Sequence, residues 1–126
     1  MALQIKRIYD PPTESDGVRV LVDRLWPRGL SRERACLDGW VKALAPSGRL
    51  RTWFGHKAEN FEEFAALYRA QLDADTEAQA AARQLLLQSR TGTVTLLYGA
   101  RDPQINHAVV LKAYLDDLAK RADDAD

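Results

Sequence analysis

The sequence predicts an α/β fold, a small and mainly parallel sheet of three to four strands with helices packed on it. Residues 18–25 are apolar at five of eight positions and residues 93–98 are apolar or β-branched throughout, the pattern of strands covered on both faces. The chain between them and the chain after the second both carry apolar residues at helical spacing. Strands joined through helices lie parallel, because a parallel pair needs a crossover of a dozen or more residues.

The elements follow in order. Residues 3–9 alternate loosely between β-branched or aromatic and polar residues and stop at Asp10-Pro11-Pro12, where two prolines remove ladder donors, so a first strand is expected there. A turn-rich connection leads to strand two, residues 18–25, which Pro27 and Gly29 bring to an end. Ser31 is placed to cap a short helix over residues 32–37. Trp40, Val41 and Leu44 form a second short apolar patch, and residues 49–57, basic and aromatic, read as a long functional loop or a distorted helix.

Asn60 with Glu63 has the spacing of a capping box ahead of a helix whose buried face is Phe61, Phe64, Ala65, Tyr68 and Leu72. A further helix, capped by Asp75 or Thr76, buries Ala78, Ala81, Ala82, Leu85 and Ser89. The strand over residues 93–98 then runs into Gly99-Ala100-Arg101-Asp102-Pro103. Asp102 before Pro103 has the form of a helix N-cap with proline in the first turn, and Ala108, Leu111, Leu115, Leu118 and Ala122 mark the inner face of the closing helix.

At 126 residues, 46% hydrophobic and 29% charged, the chain is expected to form one domain over residues 1–126, with a frayed acidic end from about residue 121. No apolar run approaches the roughly 20 residues that span a bilayer, and the N-terminus lacks a signal-peptide core, which points to the cytoplasm and away from membrane partners. The single cysteine, Cys36, cannot form an internal disulfide or a multi-cysteine metal site, and no metal or cofactor is expected. Net charge is zero but unevenly spread: residues 1–57 hold 11 Lys and Arg against 6 Asp and Glu. That half of the chain favours an anionic partner.

In an open parallel sheet, ligands bind beyond the carboxyl ends of the strands. The loops after the two strongest strands are the polar ones, so Asp23-Arg24-Leu25-Trp26-Pro27-Arg28-Gly29 is expected to face the segment from Tyr98 to Asp102, with Asn106 and His107 in the first turn of the last helix. Arg24, Arg28 and Arg101 would bind phosphate or carboxylate in bidentate fashion beside a helix N-terminus. Asn106, the Trp26 indole and a lid carrying His56 would complete the ligand site. Asp23 and His107 are the candidates for proton transfer, histidine being the side chain that titrates nearest neutrality. Structural roles compete with each assignment: an ion pair for Asp23 and Arg24, first-turn packing for His107, capping for Asn106, and core placement for at least two of the three tryptophans.

At these same residues the chain resembles the YeaO-like bacterial proteins. The resemblance rests on Lys6-Arg7-Ile8-Tyr9-Asp10, on Val-Asp-Arg-Leu-Trp-Pro-Arg-Gly-Leu-Ser over residues 22–31, on Trp40 with Lys42, and on Ala45-Pro46-Ser47. It continues through Leu50-Arg51, Trp53-Phe54 and His56 to Thr95-Leu96-Leu97-Tyr98, Arg101-Asp102 and Asn106-His107-Ala108, and so spans nearly the whole chain. The family is a domain of unknown function, so the resemblance implies kinship and no activity. A more distant branch of the superfamily carries cysteines that would fall on Tyr98 and Asn106 of this chain, and an arginine that would fall on Ala108. Its thiol chemistry therefore does not carry over, whereas Asp102, Pro103 and His107 do.

The leading expectation is a protein that binds a small anionic molecule, a nucleotide or phosphorylated metabolite, at the C-terminal edge of the sheet, with acid/base catalysis as an open extension. Nucleic-acid binding by the basic, tryptophan-containing segment 24–57 is the first alternative, weighed down by the neutral net charge. A non-catalytic protein-interaction or regulatory module is the second. Oligomeric state and the identity of the ligand are left open.

Overall fold

A computed structural model describes residues 2–125. The elements run β1 (Ala2–Arg7), β2 (Val18–Leu21), α1 (Arg32–Ala35), β3 (Gly39–Trp40), α2 (Gly48–Phe54), α3 (Phe61–Ala74), α4 (Thr76–Thr91), β4 (Thr93–Tyr98) and α5 (His107–Ala125). Short 3-10 turns at Glu14–Asp16, Lys42–Leu44 and Ala58–Asn60 join them. The sheet has four strands in the order β1-β4-β2-β3, all parallel. The predicted α/β class holds, and β4 sits near the centre, paired with β1 through Ala2↔Thr93 to Arg7↔Tyr98 and with β2 through Val18↔Val94 to Leu21↔Leu97.

Strand alternation sorts the core onto two faces. Val20, Val22, Val94, Leu96 and Tyr98 point into the main core, where Phe64, Tyr68 and Leu72 of α3, Ala78, Ala82 and Leu85 of α4, and Ala108, Leu111 and Leu115 of α5 close over them. Leu21 and Leu97 point the other way, into a smaller cluster with Ile8 and Ala35, lined by Trp26 and Trp40. Each fully buried large side chain contributes on the order of 1.5–3 kcal/mol, so the three-helix face carries most of the stability.

The connection between β1 and β2 returns along the minor face and is pinned by charge. Asp16, 2% exposed, takes Arg19 Nη1 at 2.5 Å and Lys6 Nζ at 3.0 Å, and its oxygens also accept the Thr13 N–H and hydroxyl. Arg19 spends its other donors on the carbonyls of Ala35 and Cys36. Gly17, at φ +61°, passes so close to β4 that a Cβ would lie 2.2 Å from the Thr93 carbonyl oxygen; only glycine fits there.

Several expected details differ. Strand two ends at Leu21, four residues early, although the Val22 N–H still reaches the Leu97 carbonyl at 3.0 Å. Residues 49–57 are largely a regular helix, α2, started by Ser47, whose Oγ accepts the Leu50 N–H, and stopped by Gly55 in the left-handed region. The Asn60–Glu63 capping box does not form: the 3-10 turn at Ala58–Asn60 runs straight into α3, leaving Asn60 helical, and its Nδ2 donates instead to the Trp53 carbonyl at the end of α2. Asp75, not Thr76, caps α4, its Oδ1 accepting from Glu77 and Ala78. α5 begins at His107, four residues after Pro103, because Asp102 folds residues 102–105 into a turn by accepting the Gln104 and Ile105 amides. Asn106 is its N-cap, Oδ1 accepting the Val109 N–H at 3.0 Å. On α5, Val110 and Tyr114 join the buried face, while Ala122 is exposed. The backbone of α5 is helical through Ala125, and the end of the acidic tail expected to fray, Asp126, lies outside the described residues.

Candidate functional site

The sheet order puts β2 beside β4, and the chain leaves these two neighbours toward opposite faces: β2 exits to α1 on the minor face and β4 to α5 on the major one. Such divergence opens a crevice beyond the strand ends. A cavity of about 220 Å³ occupies it, lined by Asp23, Arg24 and Arg28 after β2, by Gly99, Ala100 and His107 after β4, and by Arg51, Phe54 and His56 from α2 and its end.

Asp23 sits where the ladder between β2 and β4 runs out. Its Oδ2 accepts the Gly99 N–H at 3.0 Å, taking the place of a main-chain carbonyl, while its own carbonyl accepts the Trp40 indole N–H at 2.7 Å. His107, the first residue of α5, brings Nε2 to 3.0 Å from Asp23 Oδ1 and 3.1 Å from the Val22 carbonyl oxygen. Two oxygens facing one nitrogen require a hydrogen on it, which assigns the Nε2–H tautomer to the neutral ring and leaves Nδ1 as an acceptor. Of these two acceptors the Val22 carbonyl is the better aligned with Nε2, and Asp23 Oδ1, closed off from solvent, lies at ion-pair distance from the same nitrogen.

Tyr68 meets the His107 ring edge-on at 6.3 Å between centroids and donates its hydroxyl to the Leu44 carbonyl. Burial, helped by the negative charge of Asp23, holds the Tyr68 phenol well above its ordinary pKa, so it remains a neutral donor.

The walls are cationic. Arg24, whose Nε donates to the Pro46 carbonyl at 3.2 Å, and Arg28 and Arg51 are all exposed, and none of them joins an ion pair among the described residues. The one carboxylate in the lining, Asp23, is turned to Gly99 and His107. His56 borders the cavity in the left-handed region at φ +59°, tilted against the Phe54 ring, which itself stacks on Phe64 at 4.1 Å. Non-glycine residues avoid that conformation unless the surroundings impose it.

Of the residues expected in a ligand site, Asp23, Arg24, Arg28, His56 and His107 line this one cavity. Arg101 is exposed on the loop after β4 and outside the lining, and Asn106 is fully buried in its capping role, its Nδ2 donating to the Asp102 carbonyl. Trp26 is also outside it: its indole N–H donates to the Leu30 carbonyl, its ring meets Trp40 edge-on, and Arg32 stacks over it at 4.6 Å. Of the lining residues that were not anticipated, Arg51 and Tyr9 bring polar groups. Arg51 follows from α2, whose signals were present as Ser47 at the start, Leu50 and Phe54 at i and i+4, and Gly55 at the end. Tyr9 reaches across from the end of β1, its hydroxyl donating to the Arg28 carbonyl at 2.7 Å and its ring carrying the Arg7 guanidinium at 4.6 Å. Among the described residues no cluster of histidine, cysteine or carboxylate side chains could hold a metal ion, and no helix is long and apolar enough to cross a membrane.

Comparison with known proteins gives one family model, the inactive DUF488-N3 subclade, matching residues 2–126. The chain is 39% identical over 118 residues to the uncharacterized protein YeaO of Escherichia coli, covering 94% of this chain and all of that one. It is 38% identical over 114 residues to the uncharacterized protein Rv3073c of Mycobacterium tuberculosis and to the uncharacterized protein Mb3100c of Mycobacterium bovis, covering 90% of this chain and 93% of each. No solved structure matches.

Proposed function

The chain belongs to the inactive DUF488-N3 subclade, the YeaO-like proteins, and from that premise we propose that it binds a small anionic ligand, a phosphorylated metabolite or nucleotide, in the cavity between the ends of β2 and β4. The observation that carries the reading is the set of three arginines, Arg24, Arg28 and Arg51, around one cavity with no carboxylate partner among the described residues. Guanidinium groups left unpaired around a concavity favour an oxyanion, which they hold through bidentate hydrogen bonds. A volume of about 220 Å³ lies below the roughly 300–1,000 Å³ of sites for drug-sized ligands, and so favours a compact phosphorylated metabolite over a dinucleotide.

The Asp23–His107 pair has the parts of an acid/base dyad, with a carboxylate beside an imidazole whose remaining nitrogen can accept a proton. Among the described residues no serine, threonine or cysteine lines the cavity, and the designation of the subclade as inactive weighs toward binding without turnover. Thermal-shift and calorimetric titration with nucleotides and phosphorylated metabolites tests the proposal. At least one is expected to stabilise the wild type and to lose its effect in a folded Arg24→Ala/Arg28→Ala variant. Equal stabilisation of both proteins, or of neither, counts against it.

The nucleic-acid alternative keeps one supporting observation, Trp53, 41% exposed on α2 near Arg49. Trp26 and Trp40 are engaged with each other and with Arg32 and Lys42, so stacking would fall to one side chain. Binding to single strands whose log affinity falls linearly with log salt would favour that reading.

A further inference from the structure

The arginines account for the charge of the cavity but not for the apolar surface beside them. Tyr9 and Leu25, 38% and 57% exposed, belong to neither core cluster, and both line this cavity together with Arg24, Arg28 and Arg51. One exposed leucine is ordinary on a protein surface, whereas two exposed apolar side chains bordering a single concavity mark a contact surface. Within the loop after β2, Trp26 packs on the smaller cluster and Pro27 is buried, while Leu25, between Arg24 and Trp26, stays outside. Tyr9 is held by its hydroxyl on the Arg28 carbonyl and by the Arg7 guanidinium over its ring, so a ligand meets a surface already ordered. Gly99 adds no side chain to the space beside Tyr9 Cε2 and Pro27 Cβ, each 4.0 Å from where its Cβ would stand. The polar groups left to a ligand are few. Asp23 is engaged by Gly99 and His107, and the Tyr9 hydroxyl by Arg28. The guanidiniums and the imidazoles of His56 and His107 aside, every other lining side chain is apolar.

We propose that the ligand is a phosphomonoester with an apolar body: the arginines take the phosphate, and Leu25 and Tyr9 cover the apolar group attached to it. This rests on the anion-binding reading above and narrows it to esters such as aryl phosphates, against inorganic phosphate and the phosphates of polyhydroxylated alcohols. A hydroxyl-rich body would lose water against Leu25 and Tyr9 and find no free carboxylate to replace it, whereas an apolar body gains from the same contact.

The test is isothermal titration of the full chain at pH 8 with phenyl phosphate, methyl phosphate and glycerol 3-phosphate. All three are dianions there, the second phosphate pKa lying at about 6, and they differ in the body alone. Phenyl phosphate is expected to bind about tenfold tighter than either of the others, the gain from covering roughly 50 Å² more apolar surface. In Leu25→Ser the ratio of phenyl to methyl phosphate affinity is expected to fall to within about threefold, the share left to Tyr9. Equal affinity of phenyl and methyl phosphate for the wild type, glycerol 3-phosphate binding as tightly as phenyl phosphate, or a ratio undiminished in Leu25→Ser overturns the apolar assignment and leaves anion binding standing. Failure of all three esters to bind overturns the two together. Leu25 packs in neither core cluster, so Leu25→Ser is expected to fold; if it does not, Leu25→Ala takes its place and is read the same way.

Discussion

Asp23 and Gly99 form the last rung between β2 and β4, and the rung is made by a side chain: Asp23 Oδ2 accepts the Gly99 N–H at 3.0 Å. A carboxylate in that place ends the sheet with a negative group facing a cavity, where a main-chain carbonyl would have ended it neutrally. Gly99→Ala tests how tightly the rung is built. The new Cβ, 3.0 Å from Oδ2, must push the carboxylate aside, and such overpacking costs about 1–3 kcal/mol. Thermal unfolding should show the loss, and titration with a phosphomonoester should show weaker binding. An unchanged Tm would mean that the carboxylate is free to move.

Asp16 is expected to set much of the acid sensitivity of the fold. Burial opposes its ionisation, but the Thr13 N–H, the Lys6 ammonium, the Thr13 hydroxyl and the Arg19 guanidinium outweigh it and hold the carboxyl well below the usual carboxylate range. A depressed folded-state pKa gives stability that is fully present above the unfolded value, about 4, and is lost as pH falls toward the folded one. Asp16→Ala leaves the Arg19 guanidinium, 4% exposed, without its counter-ion, a change worth on the order of 3–5 kcal/mol. Denaturant melts at pH 7 should show that deficit, and the gap between variant and wild type should narrow below pH 4.

Tyr9 ties the loops together. Its hydroxyl holds the Arg28 carbonyl while its ring supports Arg7, whose Nε donates to the Ala100 carbonyl. The tyrosine is 38% exposed, so Tyr9→Phe should cost no more than about 1 kcal/mol of stability. The Arg28 loop loses its tether, and oxyanion affinity is expected to drop several-fold in calorimetry. A parallel loss of stability and affinity would instead make Tyr9 a packing residue.

The parts of this arrangement that were legible in the sequence are those fixed by local pattern and topology. Residues 93–98 read as a buried strand because every position is apolar or β-branched, and β4 spans those six residues. Asp23 and His107 could be brought together on paper because parallel strands deliver their exits to one edge. What depends on a long-range partner was not legible. Asn60 has the spacing of a cap, but its side chain serves the end of α2, a contact that only tertiary structure creates. Arg101 and Arg28 look alike in sequence, yet Tyr9 draws only the Arg28 loop across the cavity. Arg51 was hidden by a basic, aromatic composition that masked a short helix with ordinary caps.

His56 offers the sharpest separation of stability from function. It follows Gly55, also left-handed at φ +54°, so the chain makes two such residues in succession to carry an imidazole to the cavity edge. A left-handed conformation costs a non-glycine residue about 1–2 kcal/mol, part of which a glycine gives back through its greater freedom in the unfolded chain. His56→Gly is therefore expected to raise stability by up to about 1 kcal/mol. The same change removes a hydrogen-bond donor from the rim, so phosphomonoester affinity should fall even as Tm rises. Opposite signs in the two measurements would identify the strain as a cost of binding. A variant less stable than the wild type would show that the Phe54–His56 contact, 5.7 Å between centroids, outweighs the backbone strain.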